Sequence, residues 1–357
     1  MNTRNAIACA ALTTALAGAA HGAVTDFDVL VTSGGFNGGN NAVLRFSGSD
    51  GAFRGVFADQ STGGLNDPRD IVLDGPFGDP DTTVLVNSGN APAGPGNDRV
   101  LRFDQAGNFI EELSDFSNTG SGFVDPGGAV FGPNGNFFVG SRAQGSVLEF
   151  DSTNGAFVGE VFDPTAAGID FPRGFVFGPS GDLFIGNGSN PSTGVGQDAI
   201  LRIDPATGSA TTIFDTSNLG AFSPLDVILS PDGTQLVVSS EFPFQGGAIP
   251  NAGAIVIIDI DSPTNFSVLN PGNDEFGDPT LSAPRGLGFA PDGTLFASST
   301  GNGRLLRFDI ERNEFLGVFA EFDGLNGQAL NFVNVPSPGA LGVAGLGLVA
   351  ATRRQRR

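Results

Sequence analysis

The sequence predicts an all-β chain folded as a six-bladed β-propeller of four-stranded antiparallel blades, closed by an N-terminal strand, with a signal helix and a sorting helix at its two ends. Three observations predict it: a strand motif that returns six times, a Pro-Gly hairpin turn that returns beside it, and a composition of 55 Gly and 33 Phe with no Tyr and no Trp. Such a chain makes short strands and tight turns, and its aromatic burial rests almost wholly on Phe.

The strand motif reads Val43-Leu44-Arg45-Phe46, then begins again at Val100, Val147, Ile200, Ile255 and Leu305, most copies ending in Asp. The spacings are 57, 47, 53, 55 and 50 residues, which suits propeller blades rather than helical solenoids. Each copy extends in one order. A proline-led strand such as Pro172 to Phe177 runs into the turn Gly178-Pro179-Ser180-Gly181, and the strand Asp182 to Gly186 follows. A polar Gly/Asn loop, the recurrent strand and a fourth strand such as Ala156 to Phe162 complete the unit. Pro followed by Asn/Asp-Gly supplies the fixed φ and then the positive φ of a tight hairpin. Four antiparallel strands per repeat is a blade. The last copy lacks a second strand after Ala329 to Val333, and Asp26 to Thr32 has the pattern of one, so one blade is read as built from both ends. Such closure removes two open sheet edges.

The domain organisation follows. Residues 1–23 hold Arg4, an apolar Ala- and Leu-rich run and small residues ending at Ala23, the pattern of a secretory signal peptide. Residues 24–334 are the propeller. Residues 335–357 form a tail: Val335-Pro336-Ser337-Pro338, an uncharged Gly339 to Thr352 run, and an Arg cluster that includes Arg353 and Arg354. The run is shorter than the ~20 residues that comfortably span a bilayer, and the cluster places its end in the cytoplasm. It reads as a transient transmembrane anchor.

Composition also narrows the chemistry. All 17 basic residues are Arg, and residues 24–334 carry 38 acids against 12 Arg, a net of −26. This surface repels phosphate backbones, so nucleic acid is excluded as a partner. Cys9 and His21 lie in the signal segment, leaving the propeller without Cys, His, Lys, Tyr or Trp. Any chemistry there must use Asp, Glu, Ser, Thr, Asn or Arg, or a metal held through oxygen.

The loops that enter the first strands and those between second and third strands open on one face. The candidate ligand-face residues are Arg69, Asp70, Arg142, Arg173, Asp226, Glu241 and Arg285, with Asp67, Asp125, Asn302 and Gln328 beside them. Asp70, Asn87, Asn187, Asp226 and Glu241 offer oxygen ligands for Ca²⁺ or another divalent cation; the other reading pairs the carboxylates with Arg69, Arg173 and Arg285. Asp104, Asp151, Asp204, Asp259 and Asp309 end their strands in equal positions, which points to turn capping. The dense acids of Pro271 to Asp278 read as a solvated loop.

Two resemblances follow from these motifs. The tail resembles the PEP-CTERM sorting signal, with Ser337 where that signal usually has Glu. The resemblance implies export through the Sec translocon, cutting by signal peptidase and an exosortase-like enzyme, and delivery to the bacterial cell surface or its exopolysaccharide matrix. The blade pattern P-x-G-x-x-F-x-P-x-G-x-L-F-V followed by V-L-R-F-D looks like that of the NHL and gluconolactonase/regucalcin propellers. Two functions stand: a non-catalytic surface protein that binds glycan, protein or cation, or, as that second resemblance implies, a metal-dependent lactone hydrolase or lyase.

Overall fold

The computed structural model describes residues 27–335 apart from 36–37, 90–97, 120–123, 163–167, 170, 189–197, 220–222 and 242–252. The signal segment, the Asp26 start of the first strand, Pro336 and the rest of the tail lie outside the described residues, and so do both expected terminal helices. Among the described residues no helix is long and apolar enough to cross a membrane.

Six four-stranded antiparallel sheets make up the fold. Strands β1 (Phe27–Ser33), β2 (Ala42–Ser47) and β3 (Phe53–Ala58) belong to blade 1. Blade 2 holds β4 (Pro68–Asp74), β5 (Thr83–Ser88), β6 (Arg99–Phe103) and β7 (Phe109–Ser114). Blade 3 holds β8 (Pro126–Phe131), β9 (Phe137–Ser141), β10 (Ser146–Phe150) and β11 (Phe157–Glu160). Blade 4 holds β12 (Pro172–Phe177), β13 (Leu183–Asn187), β14 (Ala199–Asp204) and β15 (Ser209–Asp215). Blade 5 holds β16 (Pro224–Leu229), β17 (Gln235–Ser240), β18 (Ala254–Asp259) and β19 (Phe266–Leu269), and blade 6 holds β20 (Pro284–Phe289), β21 (Leu295–Ser299), β22 (Arg304–Asp309) and β23 (Glu314–Glu321). The last strand, β24 (Gly327–Asn334), pairs antiparallel with β1 and completes blade 1. That blade therefore takes three strands from one end of the described chain and its innermost strand from the other.

The innermost strands β4, β8, β12, β16, β20 and β24 neighbour one another in a closed ring around a central channel. Between adjacent blades lie six apolar clusters. In one, Leu101 and Phe103 of blade 2 meet Leu30, Val43 and Phe57 of blade 1. In another, Phe296 and Phe319 of blade 6 meet Phe27 and Phe332 of blade 1. Alternation along the recurrent strand explains this: Leu101 and Phe103 point to one neighbour and Val100 to the other. Arg102, on the Val100 face, bonds the Ser152 carbonyl of blade 3 at 2.6 Å. Its stem packs between sheets while its charge reaches the rim.

The hairpin turns carry their glycines at positive φ: Gly135 at 82°, Gly181 at 86°, Gly233 at 72° and Gly293 at 86°. At the third-strand ends, Oδ1 of Asp104, Asp151 and Asp204 accepts the N–H two residues on, at 2.9, 2.8 and 2.9 Å. These aspartates are turn caps. In the 271–278 loop, Asp274 accepts the Phe276 and Asp278 N–H groups and pairs with Arg304 at 3.0 Å.

Candidate functional site: an arginine mouth over a buried aspartate pair

Each inner strand of blades 2 to 6 starts with Pro and carries a register shift just after it, as between Pro172 and Phe175, Pro224 and Val227, and Pro284 and Leu287. A bulge turns consecutive residues toward one side, and here it brings residues two and three of each strand to the channel. Position three around the ring is Asp70, Gly128, Gly174, Asp226, Gly286 and Ala329. The two aspartates sit in blades 2 and 5, opposite each other, with small residues between. The inner strands approach so closely that a Cβ on Gly286 would fall 2.5 Å from the Ala329 Cα.

Each aspartate ties two blades together. Asp70 accepts the N–H of Ile71 at 2.7 Å and of Ala129, in the next blade, at 2.5 Å. Asp226 accepts the N–H of Val227 at 2.9 Å and of Leu287, again in the next blade, at 2.8 Å. Burial pushes the Asp226 carboxyl up to about 6 against the pull of those two bonds. Burial, and then the charge of Asp226, push Asp70 well above the usual carboxylate range.

Above this pair lies a depression of about 80 Å³ whose walls include Arg69, Arg142, Arg173, Arg285 and Gln328. Four of the twelve propeller arginines thus meet at one mouth in a strongly acidic protein. Three have carboxylate partners: Arg69 with Asp67 at 2.5 Å, Arg142 with Asp125, and Arg285 with Glu241 at 2.7 Å. Arg285 also donates to the Gln328 Oε1 at 2.6 Å. Asp67 and Asp125, each just before the strand proline, hold φ at 45° and 47°, a left-handed conformation that Asp tolerates better than most side chains. Arg173 has no carboxylate within salt-bridge distance among the described residues. It stacks on the Phe171 ring at 5.1 Å, and Arg142 stacks on the same ring at 5.3 Å. Burial lowers the Arg173 pKa to about 10; the Glu241 charge resists, and Arg142 and Arg285 add to the fall.

Of the residues predicted as oxygen ligands, the structure brings Asp70 and Asp226 to one level of the channel. Glu241 lies at the mouth on Arg285. Asn87 donates to the Gly127 carbonyl of the next blade at 3.1 Å. Ser239 and Ser298 bridge to the next blade in the same way, through the carbonyls of Arg285 and Gly327, while Thr32 donates to the Ala329 carbonyl within its own blade. Asn187 accepts the Phe171 N–H at 3.2 Å. It stands where the other blades have a serine: Ser88, Ser240 and Ser299 take the equivalent N–H of Asn66, Ser223 and Ser282. Among the described residues no three His, Cys, Asp or Glu gather in a group able to hold a metal ion. Phe171, the shared platform, was not a sequence candidate; the only signal for it was its place directly before Pro172. Phe242 and Phe244, in the segment between β17 and β18, fall outside the described residues, as do Ser337, Pro338, Arg353 and Arg354 of the expected sorting motif.

No family model matches this chain, and no curated protein matches it. Solved structures do. A chain in a nidogen/laminin complex has a TM-score of 0.61 at 12% identity, over 86% of this chain and 98% of that one. A protein of unknown function from Bacteroides caccae has a TM-score of 0.56 at 13% identity, over 86% and 99%. A streptogramin B lyase has a TM-score of 0.50 at 14% identity, over 86% and 92%. The chain shares the propeller fold with them. At these identities the likeness concerns the fold alone.

Proposed function

We propose that the chain is an exported, non-catalytic binding propeller that holds a ligand of the bacterial surface or matrix, a glycan or a protein, at the arginine mouth. The observation that carries this reading is the convergence of Arg69, Arg142, Arg173 and Arg285 over a floor closed by Asp70 and Asp226. Donors fixed by ion pairs and by stacking on Phe171 lose little freedom on binding, the arrangement a recognition site needs. The mouth acids are engaged as counter-ions, and the floor acids are engaged with backbone N–H groups of two blades. Export, processing by signal peptidase and an exosortase-like enzyme, and delivery to the surface rest on the two end segments.

The test is retention of cell-surface polysaccharide and protein by the immobilised protein. Retention is expected to fall in the double variant Arg142→Ala/Arg285→Ala and to survive Asp232→Ala in a hairpin turn on the opposite face. Equal retention by all three proteins, or none by any, overturns it.

One observation favours a second reading. Two opposed carboxylates with raised pKa values are the equipment of acid–base chemistry, as a lactone hydrolase or lyase needs. Turnover of a lactone panel with added Ca²⁺, abolished in Asp226→Asn, would favour it. Similar propellers do not choose between the readings, since one sits in a binding complex and another is a lyase.

A further inference from the structure

Charge bookkeeping at the mouth leaves one cation over. Asp67, Asp125 and Glu241 offset Arg69, Arg142 and Arg285 in direct pairs. Arg173 is offset by none among the described residues; Asp198 and Glu241 act on it through their fields. Donors are left over as well. The Nε atoms of Arg69, Arg173 and Arg285 are buried and have no hydrogen-bond partner among the described residues. Such orphaned donors cost free energy unless an acceptor reaches them, and all three belong to side chains lining the one depression.

The floor selects among acceptors. Asp70 and Asp226 lie at the base of the same depression, so a ligand with two charges would meet like charge there whenever either aspartate ionises. While Asp70 and Asp226 hold their protons, the single surplus cation matches a single anionic group. The planar guanidinium fork fits a carboxylate in two parallel bonds, and a space of about 80 Å³ suits a group of that size.

We infer that the mouth is a carboxylate subsite centred on Arg173, with the Nε donors of Arg69 and Arg285 as its flanks and Phe171 as the platform that fixes the guanidinium. The inference rests on the reading of the mouth as a ligand site and gives that site its chemistry. The carboxylate can come from a free organic acid or from an acidic sugar.

The experiment is calorimetric titration of the purified protein at pH 5, where Asp226 keeps its proton, with acetate, galacturonate, galactose and galactose 6-phosphate. Both carboxylates are expected to bind and galactose is not. Tighter binding of galacturonate than acetate assigns the source to an acidic sugar, and equal binding assigns it to the carboxylate alone. Arg173→Gln, which removes the charge and keeps much of the volume, is expected to weaken binding roughly tenfold or more. Because that change could also disturb the fold, its melting temperature is taken first, and Phe171→Leu, which removes the stacking surface but no charge, serves as a second variant with a smaller expected loss. Galactose binding as well as galacturonate, galactose 6-phosphate binding more tightly than either carboxylate, or carboxylate binding unchanged in a folded Arg173→Gln protein overturns the inference. No carboxylate binding by the wild-type protein alongside intact retention of surface polysaccharide would sink the carboxylate subsite and leave the broader ligand-face reading standing.

Discussion

Two classes of aspartate in this chain titrate in opposite directions, and the difference is one of location. Asp151, exposed at a turn, is held below the usual carboxylate range by the Thr153 hydroxyl and then by the Thr153 N–H. Its contribution is present above the ordinary Asp value and is lost as pH falls. Asp226, buried at the channel floor, is raised to about 6 by desolvation, so the folded state binds its proton more tightly than the unfolded chain does. The stability linked to that proton is full below the ordinary value of 3.8 and is lost as pH rises through about 6. A shift of this size corresponds to about 3 kcal/mol. Denaturant unfolding of wild type and Asp226→Asn from pH 4.5 to pH 8 isolates the effect, since the turn aspartates cancel in the difference. The variant loses one backbone bond at every pH, and its stability relative to wild type should rise with pH through about 6 and then level off; a difference flat across the whole range would contradict a raised pKa. At this scale the turn caps were legible in the sequence, because an Asp that bonds two residues on needs only its own neighbours. The roles of Asn87 and Asn187 were not. Each bonds a backbone group 40 and 16 residues away, and only the register of two strands shows that Asn187 stands in a serine's place.

At the scale of the strand, the bulge after each inner-strand proline is the device that makes a site. It turns position two to the mouth and position three to the floor, and it demands small side chains where neighbouring strands close on one another. On Gly174 a Cβ would lie 2.6 Å from the Asp226 Cα, whereas on Gly159, in the outer strand β11, it would meet nothing within 4 Å. Gly174→Ala should therefore destabilise by roughly 1–3 kcal/mol through overpacking and Gly159→Ala should be close to neutral, as read by chemical denaturation. The third strands give a second prediction. Phe103 is fully buried between blades, and Phe103→Ala should cost about 3–5 kcal/mol. The strands themselves were legible from alternation and from the Pro-Gly turns. The bulge was not, because the pattern P-R-G or P-x-D does not reveal which residues will share a face.

For the whole molecule, ring closure is the decisive contact. All seven residues of β1 are buried, and they stay so because β24 lies against one edge and β2 against the other. A chain ending at residue 326 should lose cooperative unfolding altogether, measured as a broad, shallow denaturant transition in place of a single sharp one. The six repeats made the blade number legible in advance. The mouth was legible only as a collection of residues, since its meaning lies in which arginines find carboxylates, and among the described residues Arg173 does not. The most direct test of that meaning is amide and arginine Nε chemical-shift mapping of the labelled protein during titration with galacturonate. Perturbations confined to Arg69, Arg142, Phe171, Arg173, Arg285 and Gln328, saturating together, are the expected result. Perturbations centred on the opposite face near Asp232 and Asp292, or none at saturating ligand, would contradict a carboxylate site at the arginine mouth.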